Sequence, residues 1–298
     1  MRTEKTSSLR ADLALVGVCA IWGFTFPSTQ LALRDTRPLT FICIRFVLAS
    51  LALGLIFRRR VFRLPRAGWG YGLLLGLFLA AGTVLQTIGL KYTTAPRSAF
   101  ITALYVVLVP FMMLLIERVR PRLVSIVAVA LATVGLYLIT SPDASGINLG
   151  DLLTVFCAVA FAVHIVLIEM ATAKYDPIAL AFWQVTIAGS FCLLALPLAE
   201  DPMFRLTAWS LTGVLVNSFL ATALAFTVQV WAQRETAATH AAVIFTAEPV
   251  FATLFAYFLQ GATLEPAAIL GAGLVLAGIV LIQIRARGKT DGGTGSPS

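Results

Sequence analysis

The stretch ADLALVGVCAIWGFTFPSTQLAL, residues 11–33, contains a single charged residue, Asp12, at its second position. About 20 consecutive apolar residues are enough for a helix to cross the hydrocarbon core of a bilayer. The stretch GDLLTVFCAVAFAVHIVLIEMAT, residues 150–172, has the same length and again an aspartate, Asp151, at its second position. The segment before residue 11, MRTEKTSSLR, resembles the charged start of a secretory signal. We expect a retained first helix instead, because the run is long enough to span and has this counterpart.

The composition of the whole chain predicts a membrane protein. Of its 298 residues, 59% are hydrophobic and only 12% are charged. Soluble domains carry about 25% charged residues, so this chain has too few to cover a soluble surface. The four cysteines form no CxxC pair, and we expect them to be apolar packing residues inside the spans. They are Cys19, Cys43, Cys157 and Cys192.

Apolar windows of spanning length divide the chain into ten predicted helices joined by short loops. They cover residues 11–33, 38–57, 67–89, 95–116, 122–140, 150–172, 177–198, 207–231, 237–259 and 266–284. We expect residues 1–10 to form a short cytoplasmic N-terminus. Residues 285–298, which end in GGTGSPS, are predicted to be a disordered cytoplasmic tail.

Basic residues are distributed unequally between the two sides of the membrane. With the ten helices threaded in order, the side that holds both termini carries 16 Lys and Arg residues, and the other side carries 5. The remaining cation, Arg45, lies inside the second helix. Because cytoplasmic loops are enriched in Lys and Arg, both termini are predicted to be cytoplasmic in a multi-pass protein of the cell inner membrane. The net charge of +8 therefore reflects topology, and we expect no nucleic-acid partner.

The two halves of the chain repeat one another. Asp12 and Asp151 are separated by 139 positions, and so are Pro38 and Pro177, which open the second and seventh helices. Further along, TTAPRSAF, whose first residue is Thr93, matches ETAATHAA at an offset of 142. The similarity is thin, but the offset changes little along the chain.

The repeats predict an inverted architecture. Residues 11–140 and 150–284 each hold five spans, and an odd number makes the second copy enter the membrane from the opposite side. Inverted repeats are typical of secondary transporters, which need two arrangements of similar energy. The predicted fold is an all-α polytopic membrane protein, with ten transmembrane helices arranged as two inverted five-helix repeats around a central cavity.

An ionisable residue lies near the middle of the ninth helix, in FTAEPVFAT, residues 245–253. Placing Glu248 at that depth costs roughly 2.5–3.5 kcal/mol, which is tolerated where the side chain faces a cavity or a partner. Pro249 leaves the carbonyl of Phe245 without its helical donor and favours a kink. A carboxyl group that takes up and releases a proton here would allow proton coupling. The alternative is a structural glutamate that is protonated or paired with an arginine.

Arg45 in FICIRFVLAS lies about seven residues inside the second helix. It either extends to the outer interface or faces the interior, where Glu248 or a substrate carboxylate are its candidate partners. The first helix carries WGFTFPS, in which Pro27 favours a second kink, and Pro110 favours a third. We interpret Pro27, Pro110 and Pro249 as gating kinks.

A mostly apolar cavity with a few polar contacts is the usual form of a small-molecule site. The predicted cavity residues are Trp22, Thr25, Arg45, Gln86, Tyr105, His164, Trp183, Gln184 and Glu248. For His164 a hydrogen-bonded core histidine is the alternative. Packing or anchoring at the interface is the alternative for each of the other polar and aromatic groups of the spans taken alone, which are Gln86, Tyr105, Trp183, Gln184, Asn217, Gln229 and Trp231. The sequence has no HExxH, GxSxG or phosphate-loop motif, so we expect no enzyme, no ATP-driven pump, no metal and no cofactor.

Four short motifs in order resemble the drug/metabolite transporter superfamily, and its EamA branch most of all. They are WGFTF in the first helix, IRF in the second, AEPVFA in the ninth and GAGLVLAGIVLI in the tenth. The resemblance implies export of small metabolites, often amino acids as in exporters of the YddG type, driven by an ion gradient or by facilitated diffusion. Some relatives carry aromatic amino acids. The first copy departs from the pattern, with LYVV in place of AEPV, and Gln260 stands where a glutamate is common.

The expected partners are therefore a small-molecule substrate, an amino acid or similar metabolite, and the lipid bilayer, with the chain acting as a monomer. Other classes remain open at this stage. They are an uncoupled metabolite facilitator, a flippase-like lipid carrier, a membrane-embedded enzyme and a structural membrane scaffold.

Overall fold

A computed structural model of the chain describes residues 8–118, 121, 123–140, 147–261, 263 and 266–287. Ten apolar helices account for most of this part of the chain, which contains no β-strand apart from an isolated bridge. They are Leu9–Ala32 (α1), Pro38–Ile56 (α2), Arg66–Gly89 (α3), Ala95–Glu117 (α4), Leu123–Thr140 (α5), Leu149–Thr172 (α6), Pro177–Ala199 (α7), Ala208–Glu235 (α8), Ala238–Gln260 (α9) and Pro266–Arg287 (α10). Eight are long and apolar enough to span, and α5 and α10 have shorter apolar stretches. The predicted all-α polytopic fold is confirmed.

The helices begin where their capping residues predict. Ser8 accepts a hydrogen bond from the backbone of α1, and Asn148 forms a capping box with Asp151 at the start of α6. At the other end of the chain α10 extends to Arg287, three residues into the predicted tail. The rest of that tail, and residues 1–7, lie outside the described residues.

The two halves run in opposite directions, as the contacts between the equivalent helices α2 and α7 show. Thr40, at the start of α2, donates a hydrogen bond of 2.9 Å to Glu200, just beyond the end of α7. Ser50, further along α2, lies 2.6 Å from Thr186, earlier in α7. Because later residues of one helix meet earlier residues of the other, α2 and α7 are antiparallel. The predicted inversion of the second copy is thus present in the fold.

Close contacts at two equivalent glycines show that α5 and α10 are also antiparallel. A Cβ atom on Gly135 would lie 2.5 Å from the carbonyl oxygen of Gly271, and one on Gly278 would lie 3.0 Å from that of Ala128. Such close approach of two backbones needs small residues in a membrane interface. The order of the contacts again requires antiparallel helices, and Gly135 and Gly278 are equivalent at an offset of 143. The pair is therefore related by an approximate two-fold axis.

The halves interleave, with α1 packed against α8 and α9, and α6 packed correspondingly against α3 and α4. We call the membrane side at which α1 begins the N-terminal side and the opposite one the far side. On the N-terminal side, Asp12 of α1 lies 3.2 Å from His240 of α9. On the far side, the equivalent Asp151 of α6 forms an ion pair of 2.6 Å with Arg97 of α4. Equivalent residues of the two copies are thus in contact on both sides of the membrane.

Two helices are interrupted at equivalent positions. The helical pattern of α4 breaks at Leu104 and that of α9 breaks at Thr246, an offset of 142. Pro249 follows its break by three residues and Pro110 by six, whereas α1 runs without interruption through Pro27. The break in α4 therefore does not require a proline at the equivalent position.

The eighth helix contains a wide turn that the sequence did not indicate. Residues Val216–Leu224 form a π-helix of nine residues in the middle of α8. Within it, the hydroxyl of Thr222 donates to the carbonyl of Asn217, five residues earlier, at 2.7 Å. Segments of this kind occur frequently at functional sites.

Candidate functional site

A cavity lies between the two halves, at the middle of the helices. Its volume is about 40 Å³. The residues that line it come from α1, α2, α3, α4, α6, α8 and α9: Trp22, Thr25, Arg45, Thr83, Gln86, Thr102, Tyr105, Phe161, His164, Ile165, Phe226, Gln229, Phe245 and Glu248. Sites for small molecules commonly have about 300–1,000 Å³. This arrangement of the helices is therefore closed at its centre.

A larger cleft of about 640 Å³ lies at the far side, where α1, α3 and α9 end. It is lined by Gln30, Leu31, Leu33, Arg34, Leu90, Lys91, Leu259 and Gln260. The Gln260 side chain donates a hydrogen bond of 3.1 Å to Gln30 and so links α9 to α1 beside this cleft.

Glu248 is held at the break in α9 by a tyrosine from the other half. The Tyr105 hydroxyl lies 3.3 Å from Glu248 Oε2 and 3.4 Å from the Phe245 carbonyl. That carbonyl is the one left without a helical donor by Pro249, as the sequence predicts. Both Tyr105 and Glu248 are buried. The tyrosine therefore supplies polar contacts to the carboxyl group and to the broken helix together.

Arg45 is held by the π-helix of α8. Its Nε donates a hydrogen bond of 2.6 Å to the hydroxyl of Thr222. The chain of polar contacts continues to α1, since Asn217 donates a hydrogen bond of 3.1 Å to Thr29. Arg45 has only 6% of its surface exposed, so it faces the interior and does not extend to the interface.

No ion pair joins Arg45 to Glu248 among the residues that the structure describes. Each instead has a neutral hydrogen-bond partner, Thr222 for Arg45 and Tyr105 for Glu248. Both line the same cavity. The site thus presents a basic and an acidic side chain that do not neutralise one another.

Aromatic rings form much of the cavity wall. The Trp22 ring lies 5.1 Å from Phe226 and 5.5 Å from Phe245, measured between centroids. Its indole nitrogen donates a hydrogen bond of 2.9 Å to the carbonyl of Ala221, at the π-helix. Tyr105 packs edge-on against Phe245 at 6.3 Å. Such a wall suits an apolar portion of a bound solute.

His164 lines the cavity while its partner lies behind it. Nε2 of His164 is 2.9 Å from the side-chain oxygen of Gln184, which is fully buried and does not line the cavity. Trp183 lies elsewhere: its indole donates to the Val61 carbonyl at 2.9 Å and its ring contacts Trp69. The structure therefore brings together seven of the nine predicted cavity residues and places Gln184 behind them and Trp183 outside.

The predicted cavity residues left out Thr83 and Phe226, and Gln229 was noted only among the polar groups of the spans, although the repeat points to all three. Gln86 and Gln229 are equivalent at an offset of 143, and so are Thr83 and Phe226. Both members of each pair line the cavity. Because the axis passes through the cavity, a lining residue in one half points to its equivalent in the other. Within the described residues, no group of His, Cys, Asp or Glu could hold a metal ion.

Comparison with known proteins agrees with this architecture. The model of the EamA-like transporter family matches the chain twice, at residues 9–141 and 148–284. The chain belongs to the EamA-like transporter family. The two matches correspond to the two inverted halves, so each half of this EamA-like transporter is one copy of the family's repeat. A transporter family is also consistent with the lack of enzyme motifs in the sequence.

Its relatives share most of its length. An uncharacterized transporter of Archaeoglobus fulgidus is 35% identical over 287 residues, covering 95% of this chain and 88% of the relative. The uncharacterized inner membrane transporter YedA of Escherichia coli is 25% identical, covering 91% and 90%. A crystal structure of a protein with 18% identity superposes with a TM-score of 0.78 over 94% of this chain and 99% of that one. At that identity the superposition supports the fold alone.

Proposed function

We propose that this EamA-like transporter is an inner-membrane secondary transporter that exports small zwitterionic metabolites, most of all amino acids, by alternating access. One observation carries the proposal: Arg45 and Glu248 line one buried cavity, and each is held by a neutral group. An unpaired buried charge is costly, and a solute that brings the opposite charge removes that cost.

An amino acid has the two charged groups that this pair of residues needs. The guanidinium of Arg45 binds a carboxylate well, because its parallel N–H groups match the two oxygens. The carboxylate of Glu248 binds an ammonium group. The rings of Trp22, Tyr105 and Phe226 surround these two residues, and they favour solutes with an apolar or aromatic side chain.

The inverted halves support alternating access. The contact of Asp12 with His240 holds α1 to α9 on the N-terminal side, and that of Asp151 with Arg97 holds α6 to α4 on the far side. Opening one contact at a time would expose the cavity to one side at a time. A cavity of about 40 Å³ also has to expand to admit a solute, and the break in α9 is a place where it can bend.

The orientation and assembly belong to the same proposal. We propose that the N-terminal side, and with it both termini, faces the cytoplasm, because that side carries the excess of Lys and Arg. Because two halves of one chain enclose the cavity, we propose that a monomer is sufficient for transport. The bilayer is its only other required partner.

Purified protein in liposomes tests the proposal by exchange of labelled amino acids across the membrane. We expect exchange by the unchanged protein and at least a tenfold lower rate in Arg45→Gln. The matched control is Arg205→Gln, because Arg205 does not line the cavity and should leave the rate within twofold. Absence of amino-acid exchange, or a normal rate in Arg45→Gln, would contradict the proposal.

A second arm of the experiment concerns coupling. A pH gradient should accelerate net transport in the unchanged protein and have no effect in Glu248→Gln if the carboxyl carries the proton. Transport that ignores the gradient in both proteins would identify an uncoupled facilitator.

A further inference from the structure

The two glutamines of the cavity are equivalent by sequence but not by environment. Gln86 of α3 and Gln229 of α8 are related by the offset of 143, and both line the cavity. Gln86 donates a hydrogen bond of 3.2 Å from its side-chain nitrogen to the hydroxyl of Thr102 in α4. The first half therefore supplies a partner for the amide nitrogen of its own glutamine.

The second half has no hydroxyl at the equivalent position to accept a hydrogen bond from the Gln229 amide. The equivalents of Thr102 at offsets of 142 and 143 are Ile244 and Phe245, which are both apolar. Phe245 lines the cavity where a hydroxyl would otherwise be expected. The equivalent of the hydrogen bond between Gln86 and Thr102 is therefore missing in the second half.

Gln229 is left with an unused acceptor deep inside the protein. It has 2% of its surface exposed. Its Oε1 has no hydrogen-bond partner among the residues that the structure describes. A buried polar atom without a partner destabilises a protein, and most such atoms in native structures are paired. Because Gln229 lines the cavity, a bound solute is a candidate partner for this acceptor.

We infer that Gln229 determines specificity by accepting a hydrogen bond from an O–H or N–H group of the transported solute. The inference rests on the proposed function, in which Arg45 and Glu248 hold the two charged groups. Gln229 then recognises a third polar group, on the side chain of the solute. Phe226 is three residues before Gln229 and so lies on the same face of α8. The favoured solutes are amino acids that carry a side-chain donor beside apolar surface.

Pairs of amino acids that differ by one donor test this directly. Threonine should compete with labelled substrate better than valine, and tyrosine better than phenylalanine, by roughly five- to tenfold, the worth of one hydrogen bond. In Gln229→Leu the preference should fall below twofold. Gln233→Leu is the matched control, because Gln233 lies one turn further along α8, does not line the cavity and donates a hydrogen bond of 3.1 Å to the Ile165 carbonyl, and it should keep the preference. Equal affinity for both members in the unchanged protein, or equal loss in the two variants, would overturn the inference.

A measurement without any solute separates this inference from the proposed function. Gln229→Leu removes an unpaired acceptor and should raise the Tm of the purified protein, whereas Gln86→Leu removes a made hydrogen bond and should lower it. If no amino acid is exchanged, the proposed function fails, and opposite shifts of Tm still support an acceptor kept for a ligand. A Tm of Gln229→Leu at or below that of the unchanged protein would show that the acceptor is not unpaired, and would overturn the inference.

Discussion

Gly23 lies where α1 crosses α9 beside Glu248, and replacing it with alanine should separate the two helices. A Cβ atom there would lie 2.5 Å from Phe251 Cβ and 2.9 Å from the carbonyl oxygen of Glu248. Carbon atoms in contact are normally about 3.5–4.0 Å apart, so the helices must move by about 1 Å. A rotamer change cannot relieve the clash, because Cβ and backbone atoms do not move with side-chain torsions.

We expect two measurable effects of Gly23→Ala. Overpacking of this kind costs about 1–3 kcal/mol of stability, so Tm should fall. A shift of about 1 Å in the residues around a site lowers rates by up to about 100-fold in enzymes, and we expect at least tenfold slower exchange in liposomes.

Gly17→Ala is the control on the same helix. A Cβ atom on Gly17 would have no atom within 4 Å, so Tm and exchange should not fall. The reasoning is refuted if Gly23→Ala is folded and exchanges solute within twofold of the unchanged protein, or if the two alanine variants behave alike.

Three further predictions concern single contacts. Tyr105→Phe removes the hydroxyl that donates to Glu248 and to the Phe245 carbonyl, and should lower the free energy of unfolding by about 1.5–3 kcal/mol. We expect a lower Tm and a raised KM for exchange. An unchanged Tm and KM would contradict this. Gly135→Leu should prevent the close packing of α5 on α10 and reduce the yield of monodisperse protein in detergent, with Gly273→Leu as the open-space control. At the start of α7, burial raises the pKa of Asp176, but hydrogen bonds from Arg60 and the backbone outweigh it and hold the pKa below its ordinary value. Its stabilising effect is therefore full above about pH 4 and lost as pH falls through the lowered pKa, so the Tm advantage over Asp176→Asn should shrink on acidification; an advantage independent of pH would be contrary evidence.

The sequence predicts most of the fold because lipid imposes simple rules on it. Every spanning helix must be long and apolar, so apolar windows of spanning length locate the ten helices, of which α5 and α10 have shorter apolar stretches in the structure. The inversion follows from an odd number of spans in each copy, and the contacts of Thr40 with Glu200 and of Ser50 with Thr186 together bear it out. These features depend on the length and composition of long segments and on their number in each copy.

The site is predicted less completely, because direction around a helix is hard to infer when all faces are apolar. Glu248 and Arg45 are predicted because an ionisable residue in a membrane span is costly and therefore indicates a cavity or a buried partner. Trp183 is not distinguishable in the same way, since an indole with an apolar ring and one donor suits a cavity and a helix interface equally. The π-helix of α8 contains neither proline nor glycine, and no local sequence signal marks it. Its contact with Arg45 through Thr222 is visible only in the structure.

The wide turn of α8 also sets the rotational phase of the rest of that helix. A π-turn accommodates one residue more than an α-turn, and each residue of an α-helix turns its side chain by about 100°. Removing a single residue from Val216–Leu224 would therefore rotate the following segment, including Phe226 and Gln229, by about that angle away from its present neighbours. An alignment gap placed here would change which positions face the lipid and which face the solute. The helical register of relatives that differ by one residue in this segment should therefore be compared before their substrates are compared.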